Sequence, residues 1–403
     1  MNVTVILDQR FYRTPDGTAW TGDSCGYSFF RRYLQVFDGV LGVARLLDVP
    51  EPKSNWQPSS GPGVSFAAVP HYQGAWQYLL RSARVKRAAR AAIGDGAALI
   101  LRVPGQLANV IEPELRRAQR PYSVEVVGDP FASYSPGAMR HPLRPILRSW
   151  FDIRLRAQCR HAAAAAYVTE YALQQRYPSG PGAFVTHYSS VDLPDEAFTA
   201  QPRVFGGQGG PVRLIAVASL QYPYKGVDLL IDALGECIHG GLDAQLEIAG
   251  EGKLRPVLEA RAAAAGPANR VRFLGAVRPG ADVRACLDRA DLFVHPSRAE
   301  GLPRAVIEAM ARGLPCVASR AGGIPELLSA EDTVPAGDAR ALARKIAEVA
   351  RDPARLSRMA ARNWARAQQY REDVLAKRRA QFYAHSQQAA KQWLATRITS
   401  DLS

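Results

Sequence analysis

Short β-type runs alternate with helix-length stretches along nearly the whole chain; the alternation stops once, between Pro194 and Pro211, and then starts again. Strand–helix alternation is the mark of parallel sheets covered by helices on both faces. In the first half the expected strands are Val3–Leu7, Val40–Leu46, Val64–Ala68, Ala98–Val103, Ser123–Val127, Ala166–Thr169 and Ala183–His187. Helices are expected over Ser28–Phe37, Gln73–Ala92 and Pro142–His161. The interruption carries Gly206-Gly207-Gln208-Gly209-Gly210, a linker composition. Beyond it, strands Arg213–Val217, Gln245–Ala249, Val271–Leu274 and Leu292–His295 interleave with helices Val227–Ile238 and Leu254–Ala265.

The expected fold class is therefore α/β, with two doubly wound Rossmann-like domains facing a central cleft. The boundaries read as 1–195, a linker at 196–211, 212–370, and a C-terminal helical segment at 371–403 that packs back on the first domain. The stretch from about Pro353 to Trp393 is helical in pattern, with Trp364, Tyr370, Phe382 and Tyr383 as anchors. A length of 403 residues, more than one core usually organises, agrees with two domains.

No run approaches the roughly 18 uncharged apolar residues of a membrane span. The opening Met1–Leu7 reads as a strand rather than a signal core, so a cytoplasmic protein is expected. Cys25, Cys159, Cys237, Cys286 and Cys316 are scattered without ligand spacing, which points to reduced, buried thiols and no metal site. The excess of 51 Lys+Arg over 37 Asp+Glu, a net +14, favours an anionic partner. Because the cations are spread without an aromatic-interleaved basic module, nucleic acid is not the expected one.

Open α/β sheets bind ligands beyond the carboxyl ends of their strands, so two facing crevices can bring a donor and an acceptor together. The most informative segment runs from His295 to Pro315. Pro303 suits a first helical turn, and Gly313 with Pro315 supplies the stop. Glu300 then lies in the loop before a helix and Glu308 on it. The free N–H groups of that helix offer a place for a diphosphate, with a carboxylate before it to grip sugar hydroxyls and Glu308 a ribose. For an arbitrary helix the better reading is a cap at Glu300 and a solvated Glu308. Lys225-Gly226, which follows another strand and opens a helix, puts a compact cation for phosphate oxygens at the same sheet edge.

The Lys225-Gly226 turn, Ala249-Gly250-Glu251-Gly252, Phe273-Leu274-Gly275, the Glu300-x7-Glu308 element and Gly322-Gly323-Ile324-Pro325-Glu326 together resemble the retaining glycosyltransferases of family 4, which have the GT-B architecture. The stretches Gly26–Leu34 and Tyr167–Glu170 with Arg176-Tyr177-Pro178 look like members that build bacterial surface polysaccharides. The resemblance implies that Glu300 contacts donor-sugar hydroxyls, Glu308 the ribose, Lys225 the diphosphate and backbone around Ala276–Val277 the base. It also implies that the backbone of Gly301, Leu302 and Pro303 faces the donor, and that the loop of Gly22 and Gly26 borders the diphosphate. Gly250-Glu251-Gly252-Lys253 is not a triphosphatase loop, since Glu247 stands where its first glycine belongs.

Two departures stand out. Ser219 occupies the position where many relatives carry an arginine, and Asp129, at a strand end, is the nearest group to where many place a histidine. Asp129 before Pro130 is either a group at the reacting sugar or a turn initiator. Arg102 is either a contact for an anionic acceptor or donor phosphate, or one half of a surface salt bridge. The run from Arg140 to Arg156 mixes cations with bulky apolar residues; on a helix this either lies on an anionic membrane or buries its apolar face and solvates its charges.

The implied activity is transfer of a sugar from a nucleotide-diphosphate sugar to a hydroxyl, with retained configuration and no cofactor or metal. A lipid-linked glycan is among the acceptors it allows, with the protein peripheral on the inner face of the cell membrane. The alternatives are a nucleotide-sugar epimerase of the same architecture and an inactive, glycosyltransferase-like binding subunit.

Overall fold

The computed structural model describes residues 1–401 except 23–24, 136–137, 139–140, 207–208 and 267. Gly207 and Gln208 of the expected linker and Arg140 of the cationic run lie outside the described residues. The first domain contains β1 (Val3–Arg13), β2 (Ala19–Thr21), β3 (Val40–Asp48), β4 (Gln57–Pro58), β5 (Val64–Pro70), β6 (Ala98–Val103), β7 (Ser123–Val126), β8 (Ala164–Tyr167) and β9 (Phe184–His187). Its main sheet runs β5-β3-β1-β6-β7-β8-β9 with every neighbouring pair parallel. Val3 to Leu7 are buried without alternation, as a strand covered on both faces must be.

β1 outruns the expected Val3–Leu7. Its ladder with β3 shifts register between Ile6 and Arg10, then continues to Arg13, where β2 and β4 add an antiparallel ribbon. Asp8, Gln9 and Arg10 end the apolar run in the sequence, whereas the backbone goes on pairing. β8 sits two residues earlier than Ala166–Thr169. A helix over Gln106–Arg117, with Pro113 inside it, was not expected. The first helix is short, Tyr27–Arg31, and passes into a 3₁₀ turn at Arg32–Gln35.

The connections β5→β6→β7→β8 all step the same way along the sheet. Right-handed crossovers therefore place helices Gly74–Ala91, Gln106–Arg117 and Arg144–His161 on one face. The opposite face takes the Tyr27–Gln35 segment and the last helix, Glu372–Asp401, which packs on β6, β8 and β9. Phe382 and Tyr383 of that helix are fully buried, worth about 2–3 kcal/mol each in apolar burial. The Tyr383 and Tyr33 rings stack at 4.6 Å, and Ser386 Oγ donates to Ser123 Oγ at 2.7 Å.

The second domain holds β10 (Val212–Val217), β11 (Ala244–Ala249), β12 (Val271–Gly275), β13 (Leu292–His295), β14 (Cys316–Ser319) and β15 (Thr333–Val334). The order is β12-β11-β10-β13-β14-β15, parallel throughout, so the direction of winding reverses between β10 and β13. The linker is docked along this domain: Arg203 donates to the carbonyls of Arg312, Ala290 and Leu287, and Trp364 Nε1 to that of Thr199. All five cysteines are buried and outside any disulfide. Among the described residues no helix is long and apolar enough to cross a membrane.

Candidate active site

At a switch point the loops leaving the two central strands part, and the gap between them is the crevice. The loop after β10 carries Lys225 and the loop after β13 carries Glu300, so the topology alone brings them to one place. Locally, Lys225 ends a 3₁₀ turn over Pro223–Lys225, and Gly226 follows with φ +69° before helix Val227–His239. A Cβ at Gly226 would lie 2.1 Å from the Pro296 carbonyl oxygen, so backbone conformation and close packing both require glycine here. Arg298 locks the two loops together: its guanidinium donates to both oxygens of Asp228 at 2.8 and 2.7 Å and to Pro223 O at 2.9 Å.

Within this frame three donors converge on one atom. Glu300 Oε1 accepts from Lys225 Nζ at 2.7 Å and from Ser297 Oγ at 2.6 Å, and lies 2.9 Å from His295 Nε2. All three contacts are to Oε1. Burial acts to raise the Glu300 carboxyl, but Lys225 and His295 outweigh it and hold the group well below the usual carboxylate range.

Helix Arg304–Ala311 begins directly after this loop, with Pro303 at its N-cap and no side chain capping it. Glu300 is therefore not the cap. Glu308 lies on the helix, half-buried rather than solvated; burial pushes its carboxyl up, with Arg304 opposing. Leu302 is buried beneath the turn. Ala276 and Val277 follow β12, where Gly250 N donates to Gly275 O at 2.8 Å and ties the neighbouring turn in place. Ser219 is exposed, and its Oγ accepts from Gln221 N at 3.3 Å.

The first domain closes against this loop. A Cβ on Gly301 would stand 2.6 Å from Val127 O, just beyond β7, so the two sheets meet at their carboxyl edges. Asp129 lies two residues on, but its carboxylate is occupied. Oδ1 accepts from Phe131 N at 2.9 Å and from Tyr177 OH at 2.6 Å, while Arg176 approaches Oδ2 at 3.3 Å. This is the turn-initiating arrangement: Asp129 caps the short helix Pro130–Ser133 and supplies no free group to a sugar.

Arg102 likewise points inward. It donates to Glu125 at 3.0 Å, a buried carboxylate that also accepts from Tyr33 and Tyr188, and it stacks over Phe29. It is a salt bridge, but a buried one rather than the surface pair expected as the alternative. Gly22 and Gly26 each pack closely on the chain around β4: added Cβ atoms would meet Trp56 at 3.1 Å and Gln57 at 2.5 Å, and residues 23–24 between them lie outside the described residues. Their small size admits the β4 segment.

Sequence reasoning gave no role to His295 or Ser297. The available signal was a histidine ending an otherwise apolar strand, buried here at 3% exposure. It named Glu326 only as the end of a motif, without a role; here its carboxylate crosses the domain boundary to accept from the backbone N–H groups of Glu170, Tyr171 and Ala172. Nor did it flag Asp8, which accepts from Gln106 N at 2.8 Å and faces Arg45 at 3.2 Å at the switch point of the first sheet.

Two parallel sheets meeting at their carboxyl edges, with a lysine, a carboxylate and an uncapped helix start between them, make the two-domain GT-B architecture. Residues 211–352 match the family described as Glycosyl transferases group 1, and the second domain is a domain of that family. The chain is 26% identical over 313 residues to Protein CapJ of Staphylococcus aureus, covering 76% of this chain and 77% of that one. It is 35% identical over 159 residues to the Putative colanic acid biosynthesis glycosyltransferase WcaL of Escherichia coli (strain K12), 36% of this chain and 38% of that one. Among solved structures, sucrose-phosphate synthase from Thermosynechococcus elongatus aligns over 98% of this chain and 100% of its own, with a TM-score of 0.71 at 18% identity. That last likeness speaks for the fold alone.

Proposed function

We propose that the protein is a retaining glycosyltransferase that moves a sugar from a nucleotide-diphosphate sugar to a hydroxyl, in bacterial surface polysaccharide or glycolipid assembly. The observation that carries this reading is the meeting of Lys225 and Glu300 at the switch point, directly before an uncapped helix start. Charge builds on the departing diphosphate as the sugar acquires oxocarbenium character. Lys225 and the N–H groups at the start of helix Arg304–Ala311 are placed to stabilise that charge, and Glu300 Oε2 to accept from a sugar hydroxyl. Glu308 accepts from the ribose and the loop at Ala276–Val277 faces the base. Preorganised donors of this kind need no bound metal, so activity is expected to persist after chelator treatment.

The surface-polysaccharide setting is supported by the match to WcaL, whose name places it in colanic acid biosynthesis. An acceptor carried on lipid would bring the protein to the inner face of the membrane. Asp129 and Arg102 have no part in the proposed chemistry, because both are bonded within the first domain.

The test is a donor screen by thermal shift, followed by product analysis with wild type, Lys225→Ala and Glu300→Ala. Acceptor-dependent release of nucleoside diphosphate is the expected result. A changed sugar nucleotide formed without acceptor would mark an epimerase, donor binding without turnover a binding subunit, and normal turnover by both variants would end the site assignment.

A further inference from the structure

The carboxyl edge of the first sheet holds a cluster of cations that the donor site does not use. Arg10 of β1 and Arg45 of β3 are partners in register, so both side chains leave the same face of the sheet. His71 follows directly on β5, the next strand, and Arg81 of helix Gly74–Ala91 donates to its carbonyl oxygen. Like charges on neighbouring strands repel, so the arrangement is destabilising unless an anion joins it. Among the described residues Asp8 is the carboxylate bonded within the cluster. Its Oδ1 stands 3.2 Å from Arg45 Nε and accepts from Tyr72 OH at 3.2 Å, and its Oδ2 accepts from Gln106 N at 2.8 Å.

One carboxylate does not satisfy three guanidiniums. The Arg10 guanidinium, half-buried, has no hydrogen-bond or ion-pair partner among the described residues. Arg45 gives its terminal nitrogens to carbonyls, Asp8 O at 2.7 Å and Tyr72 O at 3.0 Å, while its Nε, close to Asp8 but poorly aligned, makes no hydrogen bond. His71 Nε2 is also without one. Burial, and after it Arg45, Arg10 and Arg81, hold that imidazole below the ordinary histidine range, so at neutral pH it adds no charge of its own. Unmet polar atoms beside an unpaired cation mark a set of bonds that is incomplete.

We propose that Arg10, Arg45 and His71 form an anion site in the first domain, which takes a carboxylate or phosphate group carried by the acceptor. The cluster lies on the edge that meets the Glu300 loop, and close contacts lead from one to the other. Added Cβ atoms would stand 2.6 Å from Val127 O at Gly301, 3.9 Å from Pro104 Cδ at Gly128 and 3.0 Å from Asp8 Cβ at Gly105. An anion seated there belongs to the first domain, whereas the diphosphate of the donor belongs to Lys225 in the second. A neutral glycan gains little from such a site; an acidic one supplies the charge that Asp8 alone does not. The inference rests on the transferase reading for the identity of the ligand as an acceptor, and it names the chemical class of that acceptor.

Glucuronate and glucose 1-phosphate carry the two sources of that charge, and glucose is the neutral control. Titrated into the full chain, at least one of the acids is expected to move the His71 imidazole resonance, identified by its loss from the spectrum of His71→Asn, and glucose is not. A response to glucuronate alone assigns a carboxylate, and to glucose 1-phosphate alone a phosphate. Arg10→Gln removes a guanidinium without a partner among the described residues, so it should weaken this binding about tenfold. Its melting temperature should stay at or above the wild-type value, because a like-charge repulsion goes with it. Lys225→Ala should bind the acids as wild type does. No response to either acid, an equal response to glucose, unchanged affinity in Arg10→Gln, or binding lost in Lys225→Ala would each overturn the proposal. Donor-induced thermal shift, measured in parallel, separates the two readings: its absence with anion binding intact counts against the transferase assignment alone.

Discussion

The ammonium of Lys225 lies 2.7 Å from Oε1 of Glu300, and this one contact joins the loops that leave the two central strands of the second sheet. With Glu300 at 8% side-chain exposure and Lys225 at 20%, the pair is largely withdrawn from water. Two charges so placed neutralise each other only while both are present. Breaking a buried pair from one side is costly because it strands the other charge.

Lys225→Ala is therefore expected to lower turnover by about 10²–10³-fold, the scale of losing a preorganised electrostatic contact to a developing charge. Its effect on stability has a direction in pH. The folded Glu300 carboxyl is held below its unfolded value, so it contributes stability above the ordinary glutamate range that fades as pH falls through the depressed value. Removing Lys225 deletes that contribution, and the melting-temperature deficit should be largest near neutrality and shrink in acid. A deficit independent of pH would show that the pair is not its source. Lys225→Ala and Glu300→Gln combined should also be less harmful than the sum of the two.

His295 and Ser297 act on the same oxygen, at 2.9 and 2.6 Å, and both are buried, at 3% and 0% exposure. They are positioning residues. Ser297→Ala should lower kcat about tenfold while leaving the donor KM near wild type, since a lost orientation is felt in the transition state. His295→Asn should in addition move the acid limb of the kcat profile to higher pH, because the histidine helps to hold Glu300 ionised. A change confined to KM would argue for direct donor contact instead.

Much of this arrangement was legible because local chemistry and topology agreed. The strands Ala98–Val103 and Leu292–His295 fall where the sequence puts them, each an apolar run closed by proline. Helix Arg304–Ala311 follows from Pro303 and Gly313, and the Lys225 turn from a glycine that nothing else could replace. What failed to show was set by partners far away in sequence. The alanine run around β8 suits helix and strand alike, so only its neighbours in the sheet fix its register. β2 and β4 are too short to carry a period. The occupation of Asp129 depends on Tyr177, and the burial of Arg102 on Glu125 and Phe29. Pro130 hinted at the turn that Asp129 initiates, but nothing adjacent announces the bond from Tyr177 or the burial of Arg102.

Glu308 offers a second titration of opposite sign. Burial raises its carboxyl, so it takes up a proton at a higher pH than an ordinary glutamate near 4.3. An ionised carboxylate accepts from both ribose hydroxyls, and a protonated one loses part of that capacity. Donor affinity should therefore decline as pH falls through the raised value, and Glu308→Gln should show weaker but flat binding across the same range. Calorimetric titration with the donor's nucleoside diphosphate at several pH values reads this directly. A wild-type affinity without any such decline would remove Glu308 from the donor site.

The domain boundary carries its own prediction, through Glu326. At the start of helix Ala172–Arg176 of the first domain the N-cap Tyr171 makes no side-chain cap bond, and Thr169 Oγ1 accepts from Leu173 N at 3.0 Å. The N–H groups of Ala172 and Tyr171 go to the Glu326 carboxylate of the second domain, at 2.7 and 3.2 Å. Arg366 secures the same junction, donating to Glu326 O at 3.1 Å and to Glu170 at 2.7 Å. A cap supplied across a cleft couples helix stability to domain closure. Glu326→Ala should cost about 1–2 kcal/mol in denaturant unfolding, as loss of an N-cap does. Glu326→Gln, which keeps an acceptor oxygen, should cost less. If the contact also holds the domains together, the Ala variant will show a larger radius of gyration in small-angle scattering. Unfolding curves and scattering profiles that superpose on wild type would show that the closed arrangement is maintained by the remaining contacts around Gly301 and the last helix.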